Sequence, residues 1–359
     1  MAGSDRHLRV HLRAWARTRG HSVTEDGDLV LTKGTADDAR WRGAVRAGEP
    51  GPGGIVERAP ATWGLAARGA LVEDGGPPLQ TADLDRRDEV WADIAPKLYA
   101  QALAGQWDPA TAVDWGATID HEPSVEAAVV QVMTYLVENE QAALVVPARF
   151  IARVHPHFRE VVQLLAVQAA DEARHVEVFT RRAELSGQPL GTSGAGGRAS
   201  LQTLLDEADF SLAAFLLSVL GEGTFLDLLS FLERHGPDPV TRRVAHLALT
   251  DEARHVAFGV AHLEQRVRHE PELRGRLRAA VEQRHDVLAS TAGLHAGVYD
   301  ALVVLAAGSW APAAIATGWD RVQALISDMD EGRRRRLARL GFAPDEAAEL
   351  SALHTKNFM

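Results

Sequence analysis

The sequence predicts a mainly α protein: a bundle of four long helices in two pairs, with extra helices at the C-terminal end and a small α+β appendage at the N-terminal end. Three observations carry that expectation. Between residues 122 and 154, apolar residues recur at 129, 132, 133, 136, 137, 143 and 144, a 3.6-residue period that belongs to a helix. The hexapeptide DEARHV occurs twice, at 171–176 and 251–256, each time inside a long helical pattern. Strand signals are scarce beyond residue 80.

Taken in order, residues 1–80 form the appendage. Leu8–Arg19 reads as a basic helix that stops at Gly20. GHSVTEDGDLVLTKG follows, with Asp26-Gly27 between two short β-like runs, which predicts a hairpin. Residues 47–60 are Gly/Pro-rich loop, and Trp63–Val72 has a short helical pattern. From 85 to 359 the chain reads as one helical domain. A first long helix covers about 122–154, and the HPH breaker at 155–157 separates it from a second at about 158–186. The Gly/Ser-rich stretch 186–199 reads as a flexible connection. Two more helices, about 201–235 and 238–268, are split by Gly236-Pro237 and Pro239. Further helical segments fill 272–352, punctuated by Pro312 and Gly332. A long crossover between two helix pairs is what a ferritin-like bundle requires.

Composition removes several functions. The chain of 359 residues has no cysteine, which excludes disulfides, thiolate catalysis and cysteine-bound metal clusters. With 15 histidines available, any metal site must use His and carboxylate. A net charge of −11 argues against broad nucleic-acid binding. The run Arg333–Arg336 reads as a solvated helix face. No uninterrupted apolar run reaches the roughly 18–20 residues of a membrane span; Ser211–Leu220, the longest candidate, ends at Gly221-Glu222. No secretory leader is evident at the N-terminus, and a cytoplasmic location is expected.

The repeated hexapeptide carries the chemistry. Glu172 and His175, and likewise Glu252 and His255, are three residues apart and so share one helix face. A dinuclear carboxylate site needs one further Glu from each of the two other helices. Glu222 stands 30 residues before Glu252, after the apolar run SLAAFLLSVLG, where a carboxylate is costly unless something binds it. Before Glu172 the first helix offers Glu138 and Glu140; Glu140 continues the apolar stripe, and Glu138 falls on the other side with Gln131 and Thr134. The expected metal and catalytic set is therefore Glu140, Glu172, His175, Glu222, Glu252 and His255, with Glu138 as the fallback. Four carboxylates and two imidazoles suit iron or manganese better than structural zinc. Asp171 and Asp251 precede the motif glutamates, and each is placed to hold the far ring nitrogen of the opposite helix's histidine. Arg174 and Arg254 then balance the aspartates, and the motif alanines permit close helix approach. The alternative, a surface salt-bridge pattern, leaves the two upstream glutamates on apolar faces unexplained.

These residues resemble the ferritin-like di-iron carboxylate superfamily, through the pattern Glu…DExRH…Glu…DExRH over about 122–268. The resemblance implies two iron ions (Fe/Fe, with Mn/Fe open), O2 as co-substrate, and oxidation of a substrate or of the iron itself. Three departures narrow the kinds of member. Phe179 stands where the ribonucleotide reductase small subunit keeps a radical tyrosine. Ala248 stands where arylamine N-oxygenases add a third His ligand, with His246 off that face. Leu226 stands where multicomponent monooxygenases place a Thr, with Thr224 close by. The resulting expectation is an O2-dependent di-iron oxygenase that hydroxylates, N-oxygenates or cleaves a small organic molecule, with electrons from a reductase or ferredoxin. A homodimer is possible, and no nucleic-acid or membrane partner is expected. The alternatives are a ferroxidase that handles iron and a metal-bound scaffold.

Several other residues have plainer readings. His155 and His157 suit a turn or cap, Tyr135 suits the core, and Pro147 suits a bend in the first helix. Phe150, Phe179, Phe215, Phe225 and Phe258 suit the core more than a pocket.

Overall fold

The computed structural model describes residues 7–34, 41, 43–289 and 296–354. The N-terminal segment opens with helix α1 (Leu8–Thr18) and a hairpin of β1 (Ser22–Asp26) and β2 (Asp28–Thr32). Its turn is centred on Gly27, which stands alone between the paired Asp26 and Asp28; its φ of 76° lies in the left-handed region that glycine adopts without strain. Two short strands, β3 (Val45–Arg46) and β4 (Leu71–Val72), pair antiparallel. The expected helical piece at 63–72 is not formed. Ala61–Trp63 is a single 3₁₀ turn, and the chain then passes through Gly64 and Gly69, both at positive φ, into β4.

Helices α2 (Arg87–Val90) and α3 (Ala95–Ala104) lead into the long α4 (Pro123–Ile151). Pro123 sits in its first turn, where the missing N–H costs nothing. α5 (Arg159–Glu184) follows after the HPH corner, where His155 Nδ1 accepts the His157 N–H at 3.1 Å. This capping contact is the role expected of His155. α4 and α5 pack along most of their lengths.

The expected single helix over 201–235 is two. α6 (Ala195–Asp206) begins inside the Gly-rich connection, and α7 (Phe210–His235) restarts after three residues. The break is chemical: Asp209 caps α7 by accepting the N–H groups of Ser211 (2.9 Å) and Leu212 (3.0 Å). Within α7, Phe215–Glu222 is π-helical, a wider turn that the periodicity of the sequence does not reveal. α8 (Pro239–His269) starts from the Asp238 cap and packs along α7. Close approach at that contact requires Gly259, where an added Cβ would strike Ser218. α9 (Leu273–Ala289), α10 (Ala296–Ala307), α11 (Pro312–Arg339) and α12 (Pro344–His354) pack around these pairs.

The result is a ferritin-like four-helix bundle, α4 with α5 and α7 with α8, with α5 also packed against α8. α7 is long and apolar enough to cross a membrane, with a mean hydropathy of 1.7, so the apolar segment is longer than the ten residues singled out from sequence. Yet 78% of that window is buried within the protein, which uses it as a core helix. The N-terminal segment docks on the α4–α5 corner. Arg68 forks onto Glu160 with N–O distances of 2.9 and 2.6 Å, His157 Nε2 accepts the Val56 N–H at 3.1 Å, and Leu84 exchanges backbone bonds with Arg153 and His155.

Candidate metal centre

Each long helix of the bundle contributes inward-facing carboxylates or imidazoles: Glu140 from α4, Glu172 and His175 from α5, Glu222 from α7, Glu252 and His255 from α8. All six are buried, none more than 2% exposed. They form two overlapping groups. One is Glu140, Glu172, His175 and Glu252; the other is Glu172, Glu222, Glu252 and His255. Within each, one ligand atom per residue lies within 4.8 Å of all the others. Glu172 and Glu252 belong to both groups, so the geometry offers two adjacent positions with two shared carboxylates. Glu138, the fallback, is only half-buried and belongs to neither group.

Both histidines turn Nδ1 inward. His175 Nδ1 is 3.2 Å from Glu172 and from Glu252 and 3.4 Å from Glu140; His255 Nδ1 is 2.9 Å from Glu172 and 3.3 Å from Glu252. Each Nε2 faces an aspartate of the other helix, His175 to Asp251 at 3.3 Å and His255 to Asp171 at 3.2 Å. The two DEARHV copies therefore cross-brace each other. The arginines extend the brace: Arg174 contacts Asp171 and reaches Asp251 at 3.3 Å, while Arg254 contacts Asp251 and reaches Asp171 at 3.2 Å. The motif alanines, Ala173 and Ala253, are exposed and take no part in helix approach. One position after the glutamate, 100° of helical turn carries them off the buried face.

Three further residues complete the surroundings. Trp107 donates its indole N–H to Asp251 at 2.8 Å, lies under the Arg174 guanidinium at 5.0 Å, and stacks 6.4 Å from the His175 ring. Gln106 donates to Asp171 at 3.2 Å. Both sit in the loop after α3, where no periodicity marks them. Gln168, buried one turn before Glu172, donates to Glu222 at 3.1 Å. Its signal was available, a polar residue at i−4 from a ligand on the same helix face.

Electrostatics set the state of this cluster. Burial raises the Glu140 and Glu222 carboxyls well above the ordinary range, with neighbouring carboxylates adding to the rise. Burial also opposes charge on Glu172, but His255 and His175 outweigh it and hold that carboxyl low. His175 and His255 are raised, because surrounding carboxylates overcome the desolvation of the charged ring. Protons thus stabilise the cluster wherever cations do not.

The donor set fits two divalent ions. Among the described residues, Glu172 Oε1, Glu222 Oε2, both Glu252 oxygens and His255 Nδ1 are buried without a hydrogen-bond partner. Five such atoms converging on one spot are costly unless a cation binds them. Four carboxylates with neutral imidazoles carry four negative charges, the match for two divalent ions.

The aromatic candidates are core residues. Phe150 meets Phe210 edge-on at 5.2 Å, Phe225 stacks on Tyr135 at 6.2 Å, and Phe258 stacks on His262 at 6.2 Å. Phe179 alone touches the centre's edge, 6.3 Å from the His175 ring. His246 is at the surface, paired with Glu233 at 2.8 Å.

No protein-family model matches the chain, and no curated protein matches it. The chain is similar to several solved structures. A variant R2-like ligand-binding oxidase with an aerobically reconstituted Mn/Fe cofactor is 17% identical over 72% of this chain and 94% of its own, with a TM-score of 0.48. The R2-like ligand-binding oxidase from Sulfolobus acidocaldarius is 17% identical over 71% of this chain and 94% of its own, with a TM-score of 0.44. A Synechococcus protein with aldehyde deformylating oxidase activity is 16% identical over 64% of this chain and 96% of its own, with a TM-score of 0.44. At these identities and TM-scores, both the fold and the chemistry rest on this chain's own residues.

Proposed function

We propose that this protein is an oxidoreductase that holds two iron ions, or one iron and one manganese, and oxidises a small organic substrate with O2. The observation that carries the reading is the pair of overlapping buried four-residue groups that share Glu172 and Glu252. Glu140 and His175 complete one position, and Glu222 and His255 complete the other. When bound, the two ions supply the redox chemistry toward O2. The chain's residues do the rest. Asp251 and Asp171 fix the ring orientation of His175 and His255, Arg174 and Arg254 balance the aspartates, and Gln168 orients Glu222. The apolar walls of α4 and α7 keep water from the carboxylates.

Inserting one oxygen atom of O2 into a substrate and reducing the other to water takes two electrons from outside. With no cysteine, the chain has no iron–sulfur cluster of its own. A reductase or ferredoxin is therefore the proposed donor. The test is O2 uptake by protein loaded anaerobically with Fe(II), compared with the same iron free in buffer. Uptake above the free-iron rate that disappears in Glu172→Ala supports the reading. Uptake equal to free iron, or unchanged in the variant, rejects it.

A further inference from the structure

The two halves of the buried cluster differ in how their own donors are engaged. Glu172 and Glu252 are common to both positions, so the difference rests on the residues that each position holds alone. In the first, Glu140 and His175 are bonded to each other, Oε2 to Nδ1 at 3.4 Å, and the same Nδ1 meets Glu172 Oε2 at 3.2 Å. In the second, Glu222 Oε2 and His255 Nδ1 are both buried without a hydrogen-bond partner. His255 Nδ1 comes within 2.9 Å of Glu172 Oε1 but out of hydrogen-bond alignment, and that oxygen too is unpartnered.

Gln168 accounts for the state of Glu222. It lies on α5 one turn before Glu172, is 3% exposed, and donates through Nε2 to Glu222 Oε1 at 3.1 Å. A carboxylate accepts and does not donate, so the amide presents its NH2 group. One oxygen of Glu222 is thereby held across the gap between α5 and α7, and the other, Oε2, is left free in the group of Glu172, Glu252 and His255. Glu140 has no such brace. Among the described residues its carboxylate hydrogen-bonds only His175, a member of its own position.

A buried polar atom without a partner is costly, and binding a cation relieves that cost. A donor that is already hydrogen-bonded must first give up its bond. A side chain that fixes a ligand's orientation from behind removes the cost of ordering it. We propose that Gln168 is a positioning residue that makes the position of Glu172, Glu222, Glu252 and His255 the first to be filled, ahead of the position completed by Glu140 and His175. The inference rests on the two-metal reading above, and adds to it the order of filling and the residue that sets that order. Ordered filling gives the protein a one-ion state in which Glu140 and His175 still bond each other.

The test is anaerobic calorimetric titration of the metal-free, full-length protein with Fe(II). Two steps are expected, the tighter about tenfold or more stronger than the other. Glu140→Ala should keep the tight step and lose the weak one, and Glu222→Ala should do the reverse. Gln168→Met keeps the length of the side chain and removes the donor. It should weaken the tight step about 10–100-fold and leave the weak step in place, so that the two merge. Gln168→Glu, of the same shape but without the NH2 group, should weaken the same step and serves if Gln168→Met does not fold. Loss of the weak step alone in the Gln168 variants, an equal fall in both steps, or survival of the tight step in Glu222→Ala overturns the proposal. A fall of both steps together with a lower melting temperature of the metal-free variant marks a structural glutamine and overturns it as well. Two steps of equal affinity in the wild type overturn this inference and leave the metal reading standing, whereas no saturable binding of Fe(II) rejects both.

Discussion

Asp251 makes contacts with His175, Trp107, Arg174 and Arg254 at once, and so ties both copies of the motif to one end of the proposed centre. Asp251→Asn keeps the size and removes the charge. Metal affinity, measured by chelator competition, should fall about 10–100-fold, while the melting temperature of the metal-free protein changes little. Unchanged affinity refutes the orienting role. His262 supplies a second test at this scale. It is fully buried, within 2.9 Å of Ser211 Oγ and 3.1 Å of the Trp91 carbonyl, and burial lowers its pKa to about 4 from 6.5. Between those values the unfolded chain binds the proton and the folded chain does not. Stability is therefore fully present above pH 6.5 and falls as pH drops toward 4, by up to about 3 kcal/mol from this residue. Denaturant melts at pH 7 and 4.5 should show a shallower pH dependence in His262→Gln than in the wild type. Equal slopes rule out His262 as a cause.

At the scale of elements, buried ion pairs hold the helices in register. Arg182 of α5, fully buried, forks onto Glu126 of α4 at 2.8 and 2.9 Å and reaches Asp238, the cap of α8, at 2.8 Å. Glu126→Gln weakens a buried pair without removing its shape, while Arg182→Met strands two carboxylates. The second should cost about 3–5 kcal/mol in chemical denaturation and the first clearly less. Equal, small losses would show that three helices do not depend on this junction. Gly223, the residue after the π-helical segment of α7, tests the packing of α7 on α11. Gly223→Ala pushes a methyl against Arg336 and should destabilise by about 1–3 kcal/mol. A neutral result would mean that Arg336 can swing away.

At the scale of the whole molecule, the protein is a helical bundle built around a buried cluster of four carboxylates and two imidazoles. Loading the centre replaces protons held by raised carboxyls and imidazoles, so apparent metal affinity should rise with pH and proton release should accompany binding. Much of this architecture was legible in the sequence, because long helices advertise their buried faces. Glu140 continues the α4 stripe, and the i, i+3 spacing of Glu172–His175 and Glu252–His255 needs only helical geometry to meet. What was hidden depended on contacts between distant segments. Trp107 and Gln106 come from a loop without period. The π turn before Glu222 leaves no trace in a run that is apolar on every side. Arg333 and Arg336 look solvated beside Arg334 and Arg335, since burial there is decided by α7 and α12 rather than by local composition. The break at 207–209 was readable in principle from Asp209 and its two hydrogen bonds to the start of α7.

The most direct measurement is anomalous diffraction from crystals of the protein loaded with Fe(II). The account predicts two peaks roughly 3.5–4 Å apart, one among Glu140, Glu172, His175 and Glu252 and the other among Glu172, Glu222, Glu252 and His255. A single peak, or iron only at the protein surface, would contradict it.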